Sequence, residues 1–594
     1  MCGIVGAVSH DPGESRADAV MRATLRQRHR GPDGYGVRES ADGHAVLGMN
    51  LLSVVSADAE CGPYVDEVTG VLLAFNGEVY NHRELAERWS VPCGPRTTDA
   101  HVVLHGYLTH GTSVFRCLAG MFAIALYDPR KRRLVLARDR FGEKPLYYRQ
   151  ERGRCHFASE IKALAALVPV TPRVPDSFWA LETATGSSTL FDGVELLEPG
   201  TCLIVDLATR IGRAERFWSP FPNGTGGVPA WSDTVDVREA LRVAVDRTRP
   251  QLPFALMLSG GLDSAVLAAT MRPDVLITVG YPGDRNLDET QGARLVSESA
   301  GIPLVVISPT PADFRSRAAD IVHALDHPVG NASLLSEFML YEKVAELGIR
   351  VVVGGTGPDE LLLGYVRHAI LLDGPRGGGA ASLAAYAPLR EKFQRFAMPR
   401  GSAAERYYRL ILRGTDPDGS VRRLVHETFA AAPDVARALS ATDLLTAFPP
   451  MVLTSDKLSS YFGLERRSPY LDHLFAERCL ALPLTQKRTR ELGLKAALRQ
   501  VAAESGVPRA IRDAVDKRGF ASPVPSWLDN ELRSWGDTWI SYLEAAQPRA
   551  LHGISHGSGR FDRTRMMAVL LGIWYQHWAS ESGVSRVEGD VVGV

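Results

Sequence analysis

The stretch LMLSGGLDSAVLAA, residues 256–269, passes from an apolar run through a glycine pair straight into a helical pattern. The run Phe254-Ala255-Leu256-Met257-Leu258 reads as a buried strand. Ser259-Gly260-Gly261-Leu262-Asp263-Ser264 reads as the turn, and the residues after it as a helix. Two glycines let the backbone approach a polyanion, and the helix start aims its free N–H groups at it. Asp263 stands where a carboxylate can hold Mg²⁺ against phosphates. No Gly-Lys-Ser/Thr follows, so this is not the Walker A pattern. A plain glycine turn with serine as helix cap is the simpler reading, and the flanking strand and helix argue against it.

Outward from this stretch the same alternation continues. VLITVGY (275–281), LVVIS (304–308) and RVVVGG (350–355) are strands, and EALRVAVDRT, DSAVLAATM and ETQGARLVSESAG are helices between them. Continuous apolar strands alternating with helices predict a parallel α/β sheet. The last ~200 residues read as mostly helical, with DGPRGGGAAS (373–382) as a loop and SGVSRVEGDVVGV as a loose end. Upstream, SPFPNGTGGVPAW is dense in Pro and Gly and reads as a linker, taken as residues 216–232. Before it, residues 1–215 carry short apolar runs: LLAFNGEVYN, MFAIALYD, KRRLVLARDRFG and TCLIVDL. They predict a β-rich domain of two packed sheets. Residues 233–594 form the second domain.

Composition bounds the rest. The 594 residues suit two to four domains, and 45% hydrophobic with 23% charged residues is globular composition. Lys+Arg is 67 and Asp+Glu 68, a net charge of −1 that predicts no nucleic-acid partner and no anionic membrane. No apolar run reaches the ~18–20 residues of a membrane helix. The N-terminus lacks the pattern of a secretory signal. Seven cysteines, an odd number with no CxxC pair, argue against a disulfide framework or structural zinc and for a reducing cytoplasmic setting.

Other segments carry chemistry. Gly355-Thr356-Gly357-Pro358-Asp359-Glu360 follows the strand RVVV and sets glycines and carboxylates where open α/β sheets bind ligands. Asp359 is a second candidate for metal or pyrophosphate; an acidic turn capping a helix is the alternative. Lys517, in DKRGF, offers a cation for charge developing near an α-phosphate, although a DKRG turn is also ordinary surface. Cys2 follows the initiator Met, whose removal leaves a thiol beside an α-amine that can act as base. In FNGEVYN, Asn76 and the Gly77 N–H can serve as oxyanion donors, while Glu78, and Asp99 in RTTDAH, can read an α-ammonium. NGE and RGPDG are also turn chemistry.

With these residues in view, the chain resembles the glutamine-dependent asparagine synthetase family. In that family a class II, N-terminal-nucleophile amidotransferase is joined to an ATP-pyrophosphatase-type synthetase. The resemblance runs in order through MCGIVG, RHRGPDG, FNGEVYN, TTD, GMFAIALYD, RDRFGEKPLYY, FASEIKAL, SGGLDS, GTGPDE, SDKLSSYFGLERRSPYLD and DKRGF. It implies an α+β nucleophile sandwich of two antiparallel sheets with helices. An α/β parallel-sheet domain with a helical C-terminal part would follow. It implies that Cys2 hydrolyses glutamine, with Asn76 and Gly77 as oxyanion hole and Glu78 and Asp99 binding glutamine. Ammonia then passes through an internal tunnel. ATP·Mg²⁺ adenylates a carboxylate, and ammonia displaces AMP to give an amide. Ser259, Gly260, Gly261, Asp263, Ser264, Val279, Gly355 and Lys495 would bind ATP or pyrophosphate, Asp263 and Asp359 the metal, and Lys517 the phosphates. The resemblance also allows a homodimer.

Two positions depart from the family pattern. Leu51, in LLSV, stands where the family has the Arg that holds the glutamine α-carboxylate. Losing such a partner costs ~2–5 kcal/mol, a glutamine affinity ~30- to 4000-fold weaker unless another cation substitutes. Thr356 stands where asparagine synthetases have Glu, and it cannot act as a general base. The adenylation set is intact, so these changes point to an acid other than aspartate. Asparagine synthesis proper, and closure of an amide within one substrate as in β-lactam synthetases and lasso-peptide cyclases, are the alternatives.

Overall fold

A computed structural model describes the chain except for residues 1, 13–15, 55–60, 93, 95–96, 152, 222–235, 285–286, 374–400, 490, 515–521, 552–562 and 582–594. Most of the linker reading, the loop after Asp373, the C-terminal end and Lys517 therefore lie outside the described residues.

Two six-stranded antiparallel sheets make up the first part. One runs in the order Glu195–Leu196, Tyr147–Glu151, Arg154–Ala158, Gly3–Ser9, Ala45–Leu51, Gly34–Glu39. The other runs Ile211–Arg216, Thr201–Asp206, Arg133–Arg138, Gly120–Asp128, Leu72–Val79, Tyr64–Val65. Every residue of Gly3–Ser9 and of Ala45–Leu51 is buried. The alternation of a half-buried sheet is missing because both faces are covered. Ile4 and Leu47 join Phe75 and Phe122 between the sheets, whereas Val5 and Val46 pack against Val20 and Ala23 of the helix Ala17–Arg26. Helix Asp99–His110 covers the second sheet, capped by Thr98 and His101. It is buried at Ala100, Val102, Val103, Leu104, Gly106 and Tyr107, while His101, His105, Leu108 and Thr109 lie on the less buried side. A leucine on that side blurs the amphipathic stripe in sequence.

The second part carries a five-stranded sheet in the order Leu304–Ile307, Val275–Val279, Phe254–Met257, Val351–Val353, Glu465–Arg467, parallel throughout. The first four strands are the ones expected from the apolar runs. The fifth, Glu-Arg-Arg, is charged at every position and all three residues are buried. Helices dominate from Ala403 to Glu581.

The two parts share one apolar core, with Phe141 tilted against Trp218 (4.9 Å) and edge-on to Phe448 (6.3 Å). An ionic seam runs beside it. Arg30 reaches Asp456 at 2.7 Å, Glu160 at 3.2 Å and the Ser460 hydroxyl at 2.8 Å. Lys144 meets Asp456 at 3.0 Å, and Lys162 bridges Glu160 (2.7 Å) and Asp326 (2.9 Å). Lys457 closes the chain on Asp326. Removing one partner of such a buried pair costs ~3–5 kcal/mol. The six described cysteines are all unpaired.

Candidate active site

The residues singled out in sequence gather at two places. At the first, strand Gly3–Ser9 brings Cys2 to the edge of the sandwich, 7% exposed. The Cys2 backbone N–H donates to Asn76 Oδ1 at 2.9 Å, and Arg30 Nε donates to the Cys2 carbonyl at 3.2 Å. Asn76 is fully buried, and its Nδ2 has no partner among the described residues. A buried amide N–H left open beside a thiol is a donor waiting for an oxygen. Gly77 has φ +151°, and a Cβ there would lie 2.0 Å from the Met121 carbonyl oxygen. Only glycine lets the strand Leu72–Val79 make this step.

Electrostatics at this place are those of a dry pocket. Burial pushes the Cys2 thiol up. Burial, then the Glu465 and Asp99 carboxylates, push Glu78 well above the usual range. Burial also raises Asp99, although its oxygens accept from the Val79 and Ala100 N–H groups, each at 2.9 Å. Leu51 is buried opposite Gly34, and it brings no charge. The cation that acts on Glu78 is Arg467, from the other half of the molecule.

Sequence reasoning gave no role to several groups here. Gln27 and Asn50 are buried with unpartnered side-chain amides, and both lie 2.8 Å from where a Gly3 Cβ would be. Arg30, quoted only as part of a turn motif, ties the Cys2 carbonyl to Asp456. Isolated polar residues in apolar strands were the available signal.

The second place lies at the carboxyl ends of the parallel strands. Gly260 has φ +69°, and a Cβ there would come 2.7 Å from the Glu289 carbonyl oxygen. The Ser264 hydroxyl accepts from the Ser259 N–H at 3.1 Å, which curls the loop at the start of helix Leu262–Met271. Asp263 is in that helix's first turn. Lys495 Nζ donates to Asp263 at 2.6 and 2.8 Å and meets Asp359 Oδ1 at 2.6 Å. Burial would lower the Lys495 ammonium, but the two carboxylates outweigh it and hold it above the usual range. Gly364 makes room: a Cβ there would be 2.0 Å from Lys495 Cε. Gly355 is adjacent, its would-be Cβ 3.4 Å from the Ser264 nitrogen. Val279 ends the neighbouring strand, 6% exposed. Thr356 accepts a hydrogen bond from Arg466 Nη2 at 2.6 Å. Burial and Asp359 push Glu360 up to about 8, and it accepts from the Tyr365 hydroxyl.

Two carboxylates that share one ammonium lie close enough to share one divalent cation. No group of three or more His, Cys, Asp or Glu side chains fit to hold a metal occurs among the described residues. A two-carboxylate oxygen set suits Mg²⁺, which takes its remaining ligands from water and substrate phosphates. The residues present fit a phosphate-borne ion and not an autonomous metal centre.

One strand touches both places. Glu465 and Arg467 face the thiol pocket: Glu465 acts on Cys2 and Glu78, and the Arg467 guanidinium lies 5.5 Å from the Tyr80 ring. Arg466, between them, faces Thr356.

Two family models match the chain. The family described as asparagine synthase matches residues 236–579, and the glutamine amidotransferase domain matches residues 1–218. A Mycobacterium tuberculosis protein, provisionally named a glutamine-hydrolysing asparagine synthetase, is 28% identical over 655 aligned positions covering 99% of each chain. Glutamine-hydrolysing asparagine synthetase 1 of Bacillus subtilis is 26% identical over 582 positions, 90% of this chain and 89% of its own. An amidase of Gibberella zeae is 28% identical over 407 positions, 61% of this chain and 59% of its own.

Proposed function

This chain belongs to the asparagine synthase family, and on that premise we propose that it amidates a carboxylic acid other than aspartate, using glutamine and ATP. It is a glutamine-hydrolysing carbon–nitrogen ligase of asparagine synthetase type. The observation that carries the two-site reading is the strand Glu465–Arg467, whose alternate residues reach the thiol pocket and Thr356, beside the second site.

In the thiol pocket, removal of Met1 turns the Cys2 nitrogen into an amine that takes the thiol proton. The sulfur attacks the glutamine amide carbon, and Asn76 Nδ2 and the Gly77 N–H receive the developing oxyanion; the C–N bond then breaks as the Cys2 amine returns the proton to the leaving ammonia, and water hydrolyses the thioester to glutamate. Glu78 and Asp99 hold the substrate ammonium. The water-poor setting favours passing ammonia along the joint between the halves, beside Arg30 and the charged strand. At the parallel sheet, the glycine loop Ser259–Ser264 seats the phosphates, with Val279 and Gly355 at its edge. Asp263 and Asp359 would hold Mg²⁺, which neutralises phosphate charge when bound. Lys495 places positive charge beside the same oxygens, a contribution of ~2.7–4 kcal/mol for one well-aimed donor. Lys517 would supply a further cation. The acid's carboxylate attacks the α-phosphorus, pyrophosphate leaves, and ammonia then displaces AMP.

Thr356 supports an acid other than aspartate: its hydroxyl is engaged by Arg466 and has no charge to offer in the amide-forming step. Asparagine synthesis is the second reading, favoured by the end-to-end match with the Bacillus subtilis enzyme. AMP release with ATP·Mg²⁺, L-aspartate and either glutamine or ammonium tests the choice. We expect glutamate from glutamine but no aspartate-driven AMP. Aspartate-driven AMP with both nitrogen sources would overturn the non-aspartate reading.

A further inference from the structure

Among the described residues, Arg466 is a buried cation with no ion-pair partner. It is 8% exposed, at the middle of the strand Glu465–Arg467. Its Nη1 donates to the Ser468 hydroxyl and its Nη2 to the Thr356 hydroxyl, each at 2.6 Å. Its Nε has no partner. Gly354 admits the side chain, since a Cβ there would lie 2.4 Å from Nη2. The neighbouring arginines of this sheet edge behave otherwise: Arg467 is paired with Glu465 at 2.7 Å, and Arg350 with Asp33 at 2.6 Å.

The acids that feel Arg466 do not neutralise it. Glu337 lies on helix Leu334–Glu346, and its oxygens accept from Ser333 (3.2 Å), Asn331 (3.4 Å) and Ser455 (3.1 Å). Burial raises Glu337 against the pull of Arg466. Burial, and then Asp139, push Glu143 up to about 8, so it keeps most of its proton at neutral pH. Neither comes within ion-pair distance. Holding a lone guanidinium in such a place is costly, because burial strips its hydration. A buried polar group left so calls for a ligand or a catalytic role.

The place itself selects the ligand. Thr356 and Glu337 are partly exposed, so the guanidinium borders accessible space. Thr356 follows Gly355, which packs on the Ser264 nitrogen of the phosphate loop. Phosphates have their own cation in Lys495, on the near side of that loop. An anion on Arg466 would therefore sit one residue beyond, beside the carboxylate offered for adenylation. A guanidinium flanked by two hydroxyls, with an open Nε, matches the planar fork of a carboxylate.

We propose that Arg466 is a specificity-determining residue that holds a second anionic group on the acid to be adenylated. Dicarboxylic acids are then accepted and monocarboxylic acids of the same length refused. This rests on the adenylation reading above.

The test is AMP release by the full chain with ATP·Mg²⁺ and ammonium, using matched acids. Succinate is compared with butyrate, glutarate with valerate, and aspartate with 3-aminobutyrate. In each pair that is used at all, kcat/KM is expected to favour the dicarboxylate by at least ~30-fold, the factor for one lost buried charge contact of ~2 kcal/mol. Arg466→Met should raise KM for the accepted acid by about the same factor, leave KM for ATP unchanged, and be partly rescued by Arg466→Lys. Glutamate production reports whether each variant is folded, and the wild-type comparison needs no variant. Equal use of mono- and dicarboxylates, or an Arg466→Met effect on KM for ATP alone, overturns the proposal. No AMP with any acid overturns the adenylation reading, and this inference with it.

Discussion

The thiol pocket and the phosphate loop solve opposite electrostatic problems within one chain. Around Cys2 the protein limits charge: the thiol is raised by burial, Glu78 and Asp99 are held up, Arg30 reaches the Cys2 carbonyl, and Asn76, Gln27 and Asn50 bring buried neutral amides. Around Asp263 it accumulates charge, with one ammonium locked between two carboxylates and a guanidinium left over. Amide hydrolysis develops a single oxyanion, for which aimed neutral donors in a dry site suffice. Adenylation moves a polyanion, which calls for cations and a metal-bridging pair of acids. The two environments are kept apart by a strand with alternating partners and by a seam of buried ion pairs.

The sharpest way to separate the halves is to silence each alone. Cys2→Ala should abolish glutamine-driven turnover and spare ammonium-driven turnover, whereas Asp263→Asn should stop AMP formation with either nitrogen source. AMP and glutamate measured side by side decide this, and loss of both activities in Cys2→Ala would mean the halves are not separable. A smaller effect tests how the thiol pocket works. Asn76→Ala should cut the glutaminase kcat by ~10²–10³ with ammonium-driven AMP release unchanged. An unchanged glutaminase would remove Asn76 from the oxyanion role.

The seam tests whether separation depends on packing. Asp456→Asn leaves Arg30 and Lys144 without their carboxylate and should lower unfolding stability by ~3–5 kcal/mol. It should also raise the glutamate-to-AMP ratio as the joint loosens. Chemical denaturation and product ratios read both, and a stable variant with unchanged coupling would make the seam incidental.

The mildest perturbation is acid. Burial and then Lys457 hold His327, beside the seam, at about 4, below the usual 6.5 of histidine. A histidine lowered in the folded state contributes stability in full above pH 6.5 and loses it as pH falls to about 4. That window should cost about 3 kcal/mol. Replacing His327 with Gln should flatten the stability profile there; the same slope in the variant would assign the acid effect to other groups.

Much of this was legible in the residues. Four of the five parallel strands are plain apolar runs, and the Gly260 turn announces itself between a strand and a helix. Helix Asp99–His110 was not legible, because Leu108 on its less buried side blurs the 3.6-residue stripe. The fifth strand, Glu465–Arg467, was not legible either: buried charges look like surface until their partners are known. Leu51 marks a missing cation by its identity. That Arg467 comes across from the other half toward Glu78 appears only in three dimensions.

By itself the amino-acid order determined the local chemistry: the N-terminal cysteine, the glycine turns, the two-part division and the resemblance that follows from motifs in series. These depend on backbone sterics and short-range periodicity, which act over a few residues. Tertiary structure alone decided that Lys495 meets Asp263 from 232 positions away, that Arg30 joins Cys2 to Asp456, and that Arg466 stands unpaired beside Thr356. Those outcomes come from which surfaces are buried together, and a buried charge acquires its meaning only from the groups that burial brings to it.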